Sequence, residues 1–177
     1  CLFTEPVKQV DDTFLLDYSL FFVSILYDYY RETKDLETVR ELWPSGFRQI
    51  ELALDDFADG VPKRDNPLLF FIDWKEGLDR QAAGMGVFIY CLRQGAYLAG
   101  VLGEKEQQAW IEGLLADAVK RAVEVFWDRE RGFFVSGEEK QISWMSQCWM
   151  VLADVLEPEQ SRELMKRLLT EKPSMTP

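Results

Sequence analysis

Phe70 to Gly103 reads FFIDWKEGLDRQAAGMGVFIYCLRQGAYLAGVLG. A short apolar run, Leu68 to Ile72, ends in Asp73-Trp74, and Lys75-Glu76-Gly77 forms a polar elbow. Leu78 to Leu102 then offers about seven turns of helix. Beyond Ala82 its apolar lettering is broken only by Arg93, Gln94, tyrosines, one cysteine and small residues. A helix that is apolar on all sides is buried on all sides. Asp79, Arg80, Gln81 and Arg93 make it too mixed for a membrane span. The stretch therefore predicts the central helix of a helical protein, with an acid and an indole at its entrance.

Composition narrows the chemistry. The chain has 177 residues, enough for one sizeable core, and 47% apolar content excludes disorder. A net charge of −11 argues against nucleic acid and against an anionic membrane surface, because both are held by cationic groups. Histidine is absent, which removes Ser/His and Cys/His catalysis and the commonest metal ligand. Any acid–base chemistry falls to carboxylates. Cys1, Cys91 and Cys148 are odd in number and lack a CxxC spacing, so neither a disulfide framework nor a zinc site is expected. No cofactor and no metal site is indicated, although carboxylate-bound calcium needs no histidine. The chain begins with Cys and ends at Pro177 without a closing element, so residues 1–177 are expected to be one domain cut at both ends.

Working outward, Asp12-Thr13 is a candidate cap for a helix from Phe14 to Tyr30 that is apolar nearly all round, with Asp17 as the exception. Asp35 opens an amphipathic helix toward Phe57, which Pro44 is expected to kink or divide. Gly60 to Pro67 reads as a loop. After the central helix, Glu104 to Trp127 is amphipathic, Asp128 to Gly137 is a short extended excursion, and Ile142 to Leu156 is apolar again. Pro158 then starts a last amphipathic helix. Apolar and amphipathic helices alternate three times, with apolar ones opening near residues 12, 78 and 142. This alternation is what inner and outer helices of an αα-toroid require. The expected fold is all-α, a partial (α/α)6 toroid of about three αα-hairpins with short extended segments in the loops.

Polar residues collect at the inner-helix entrances: Asp11, Asp12 and Asp17; Asp73, Trp74, Glu76 and Asp79; Lys140, Gln141, Ser143, Trp144 and Gln147. Stacked in register, they would meet at one end of the array. Carboxylates beside indoles suit a sugar, since acids accept hydroxyl hydrogen bonds and an indole covers an apolar ring face. Each group also has a structural role open to it. Asp12 fits a cap. Asp17, inside an apolar helix, needs a partner whether or not it serves a site. Glu76 and Asp79 fit helix-dipole stabilisation as well as binding. Asp73 could cap the central helix. Trp144 fits core packing as well as a site, whereas Trp43, Trp110, Trp127 and Trp149 read as packing.

Several stretches together resemble the catalytic domain of the α-L-rhamnosidases of glycoside hydrolase family 78. They are Asp17 to Tyr30, Phe71-Ile72-Asp73-Trp74, the run ending YLAGVLG at Gly103, Phe126-Trp127-Asp128 with Phe133-Phe134, and Ser143 to Gln147. The resemblance implies an (α/α)6 toroid, a carbohydrate partner, and substrate-binding roles for Asp73, Trp74, Asp17 and Trp144. It implies inverting hydrolysis of terminal α-L-rhamnosides by a carboxylate pair, in a bacterial cytoplasm or periplasm. The family's general acid and base match nothing in these 177 residues, so the catalytic pair is expected outside the chain. Two alternatives are a toroid enzyme acting on another sugar, such as an unsaturated uronide, and a non-catalytic helical-repeat or carbohydrate-binding module. Exposed inner-ring surface would favour self-association.

Overall fold

The computed structural model describes residues 15–64, 70–73 and 75–171. Six α-helices lie among them: α1 (Leu16–Thr33), α2 (Leu36–Ala53), α3 (Gln81–Leu102), α4 (Lys105–Phe126), α5 (Trp144–Leu152) and α6 (Pro158–Glu171). Two antiparallel two-stranded ribbons decorate the loops, β1 (Phe57–Ala58) with β2 (Val61–Pro62), and β3 (Trp127–Asp128) with β4 (Phe133–Phe134). The odd-numbered helices form the inner layer, with α3 packed between α1 and α5. Each outer helix packs on the inner helix before it in the chain. The all-α expectation holds, as three consecutive αα-hairpins forming an arc. The inner helices start 65 and 63 residues apart.

The central position of α3 follows from its letters. Met85, Val87, Phe88, Ile89, Leu92 and Leu98 are all essentially fully buried. Burying such side chains contributes about 1.5–3 kcal/mol each before entropy is charged. One expectation changes here: starting at Gln81, α3 leaves out Asp79 and Arg80 and is long and apolar enough to cross a membrane by length and composition, while most of it is buried inside the protein. Gly103 ends it in the left-handed conformation (φ 81°), and the amide of Glu104 donates to the Ala99 carbonyl at 2.9 Å. Arg40 of α2 donates to the Leu102 carbonyl at 3.3 Å, satisfying a further group at that end.

Three expectations about boundaries need correction. The central helix starts at Gln81, not Leu78, because Asp79 and its neighbours are bonded into the loops of the next hairpin. α2 runs undivided through Pro44. The missing proline amide costs one helical bond, but Val39, Trp43, Ile50 and Ala53 are buried on both sides of it and keep both parts helical. Phe57 leaves the helix for β1, where its ring packs on Phe88 at 4.5 Å. Asp11, Asp12 and Thr13 lie outside the described residues, and α1 itself begins at Leu16. Cys91 is buried, and burial pushes its thiol up to about 12, which matches a core residue.

Asp35 caps α2 as its sequence predicts. It accepts the Thr38 amide at 3.1 Å, the Thr38 hydroxyl at 2.6 Å and the Tyr29 hydroxyl at 2.7 Å. These bonds, the Thr38 hydroxyl foremost, lower its pKa from the ordinary 3.8 to about 2. A depressed carboxylate stabilises the fold above its unfolded value, and that contribution disappears as pH falls through the folded one. Unfolding free energy followed from pH 5 to pH 2 should therefore fall less steeply in Asp35→Ala than in the native chain. Identical slopes would mean that the cap carries no linkage.

Candidate functional site

Among the described residues the inner-helix entrances lie side by side, and each of the first two grips the hairpin that follows it. Asp17, in the first turn of α1, reaches the segment before α3. Its Oδ2 accepts the amides of Phe71 (2.9 Å) and Ile72 (3.2 Å), and its Oδ1 accepts the amide of Tyr18 (3.0 Å). The carboxyl is 2% exposed. Burial raises its pKa, while the amides of Ile72, Tyr18 and Phe71 work in the opposite direction. Asp79 repeats the device one hairpin on. It accepts the Ser136 hydroxyl and the Gln81 amide, and its own amide donates to Gln141 at 2.8 Å. Gln141 donates in return to the Gly77 carbonyl at 2.9 Å. Gly137 permits this approach, since a Cβ there would sit 2.7 Å from an Asp79 carboxylate oxygen.

The third entrance is finished internally. Ser143 caps α5 by accepting the Ser146 amide at 3.1 Å. Gln147 accepts the Phe134 amide and donates to the Phe134 and Ser143 carbonyls. Asp17, Asp79, Ser143 and Gln147 are thus bound into the framework. Glu76 is exposed. Trp144 is half-buried, and its indole nitrogen is buried without an acceptor among the described residues. Trp74 lies outside the described residues. Asp73 stands differently: it is half-buried, its amide donates to the Phe71 carbonyl, and its carbonyl accepts from Arg80 at 3.2 Å. Among the described residues nothing bonds its carboxylate.

Beside Asp73 runs a row of rings. Phe71 meets Tyr18 edge-on at 6.4 Å, Tyr18 lies 6.2 Å from Phe21, and Phe21 stacks on Trp149 at 5.6 Å. Trp149 in turn meets Tyr90 edge-on at 5.8 Å. The row draws on all three inner helices. Gly86 lets it form, because α5 lies directly on the α3 backbone there. Sequence reading assigned Trp149 to packing, placed Phe21 on the apolar first helix within the stretch that carries the resemblance, and gave Tyr90 no role. Their signal was an aromatic residue on each apolar helix, which becomes a row only when the helices are laid side by side. Among the described residues no three acidic or thiol side chains cluster to hold a metal. A cavity of about 390 Å³ lies between the β1–β2 ribbon and α4, lined by Leu54, Phe57, Phe88 and Leu114 together with Asp117 and Glu124, and none of the entrance residues reaches it.

The architecture is an all-α stack of three hairpins with a carboxylate and aromatic rings at its inner entrances, a fold that does not by itself assign a function. Solved structures give two likenesses. The chain is similar to a rhamnosidase from Klebsiella oxytoca solved with rhamnose bound, at 44% identity and a TM-score of 0.89 over 98% of this chain and 34% of that one. A GH78 family rhamnosidase of Bacillus sp. GL1 shares the fold, with a TM-score of 0.78 at 16% identity over 93% of this chain and 18% of that one. Both likenesses run over nearly the whole of this chain and match it to a segment of a longer rhamnosidase. The chain spans about a third of the length of the first of these structures and under a fifth of the second. No protein-family model and no curated protein matches the sequence.

Proposed function

We propose that this chain forms part of the sugar-binding wall of a glycoside hydrolase acting on terminal α-L-rhamnosides. Its three hairpins would be the central portion of an (α/α)6 ring, closed by helices of a longer protein. The observation that carries the reading is the 44% identity, along nearly the entire chain, with a rhamnosidase that holds rhamnose. The local chemistry agrees with it. Rhamnose is a deoxy sugar with a methyl group and an apolar ring face, which suits the Phe71–Tyr18–Phe21–Trp149–Tyr90 row. Its hydroxyls suit the Asp73 carboxylate, which nothing among the described residues bonds. Trp74 follows Asp73 directly and is proposed as a second contact, and Trp144 as a third. Hydrolysis would be by inversion, with one carboxyl protonating the leaving oxygen and another activating water. That pair is placed outside these residues, so the chain alone is expected to bind without turning over.

The test is titration of L-rhamnose into the chain, followed by amide chemical shifts, and turnover of an aryl α-L-rhamnoside by the longer protein. Asp73→Asn should weaken binding by roughly tenfold or more, the effect of removing a charged hydrogen-bond partner. Binding unaffected by the substitution would take Asp73 out of the site. The anomer released first, read by proton NMR, decides between inversion and retention. A second reading, a non-catalytic interaction module, is favoured by the exposed Tyr18, Ile25 and Tyr29 on α1. It predicts a concentration-dependent mass in light scattering and no response to rhamnose.

A further inference from the structure

The turn that carries Asp73 holds a backbone state that its own residues disfavour. Ile72 sits at φ 55°, and a β-branched residue in the left-handed region is an outlier that its surroundings must enforce. The Asp73 amide donates to the Phe71 carbonyl at 2.6 Å, which closes a three-residue turn of the strained kind around Ile72. The first two amides of that turn are held from another helix. One oxygen of Asp17 accepts two consecutive amides, those of Phe71 and Ile72, and consecutive amides converge on one anion only when the backbone is folded into such a concavity. Asp17 itself is fixed in the core between Leu16 and Leu20, both buried. Its two oxygens face three backbone amides, which leaves the acid committed to the protein.

We propose that Asp17 is a positioning residue: its carboxylate clamps the Phe71 and Ile72 amides, holds the turn in its strained form, and so aims the Asp73 carboxylate and the Phe71 ring at the ligand. Asp17 then serves the site without touching the sugar. The ligand half of this rests on the rhamnoside reading above; the clamp does not. Asparagine keeps the size of Asp17 but turns one acceptor into a donor facing a donor. Asp17→Asn should speed hydrogen exchange at the Phe71 and Ile72 amides by about tenfold, and weaken L-rhamnose binding about tenfold by letting the turn relax. Glycine adopts a positive φ without strain. Adding Ile72→Gly to Asp17→Asn should therefore restore most of the lost affinity, an outcome closed to a carboxylate that binds sugar directly. Absence of that rescue, or native rhamnose affinity in Asp17→Asn, would overturn the proposal. So would unprotected Phe71 and Ile72 amides in the native chain, a result that stands even where the variants do not fold. If the native chain ignores rhamnose, the sugar reading fails, while amide protection and the left-handed NMR signature of Ile72 still decide the clamp.

Discussion

Gly86→Ala is expected to lower the melting temperature of the chain by roughly 4–8 °C. Alanine normally strengthens a helix interior by about 1 kcal/mol relative to glycine, so the sign of this effect is informative. A Cβ on residue 86 would lie 2.8 Å from both the carbonyl carbon and the Cβ of Trp149, and 3.0 Å from the amide of Met150. Two of those three atoms are backbone, and no rotamer moves them. α5 must lift off α3, Trp149 goes with it, and the ring row breaks between Phe21 and Tyr90. Gly113→Ala is the matched control, since a Cβ there meets nothing within 4 Å on helix α4. The control should gain about 0.5–1 kcal/mol. Thermal unfolding followed by circular dichroism measures both. A Gly86→Ala protein as stable as the native one would show that α5 is not seated on that backbone.

Gln147→Leu should cost about 2–4 kcal/mol in urea unfolding, with the slope against urea unchanged. Leucine matches the volume of glutamine and adds apolar surface, so packing alone predicts little loss. Hydrogen bonding predicts otherwise. The Gln147 amide is fully buried, accepts the Phe134 N–H at 2.8 Å, and donates to the carbonyls of Phe134 (2.8 Å) and Ser143 (3.0 Å). It stands in for a neighbouring strand along the edge of β4, and Phe134 is itself fully buried. Removing the amide strands a buried donor and a buried acceptor together, each uncompensated by water. A change within about 0.5 kcal/mol would show that the edge is satisfied by other means.

The order of helices was legible because burial leaves its mark on composition. Gln81–Leu102 needs apolar residues on every side only if protein covers every side, and Gly103, Asp35 and Pro158 announce helix ends through backbone chemistry that depends on few neighbours. Pro44 carries a real local penalty, yet it does not divide α2, because Trp43 and Ile50 on either side of it are buried and keep both parts helical. At the entrances the letters showed where polar groups would gather. They did not show which were bound to the framework. Asp17 and Asp73 are the same residue type in similarly apolar company, yet Asp17 spends both oxygens on amides while the Asp73 carboxylate has no partner among the described residues.

The sequence by itself determined the all-α class, the alternation of buried and half-exposed helices, the helix ends at Asp35, Gly103 and Pro158, and the family the chain resembles. Each of these is set within a few turns of chain, by periodicity and by residue types with fixed backbone preferences. Tertiary structure alone decided that Asp17 closes on Phe71 and Ile72, more than fifty residues away, that Asp79 grips Ser136 and Gln141, and that five rings from three inner helices and one loop make a single row. Those outcomes depend on how closely α1, α3 and α5 approach. That distance is set by small residues such as Gly86 meeting a neighbouring backbone, a relation between two places in the chain that neither place records.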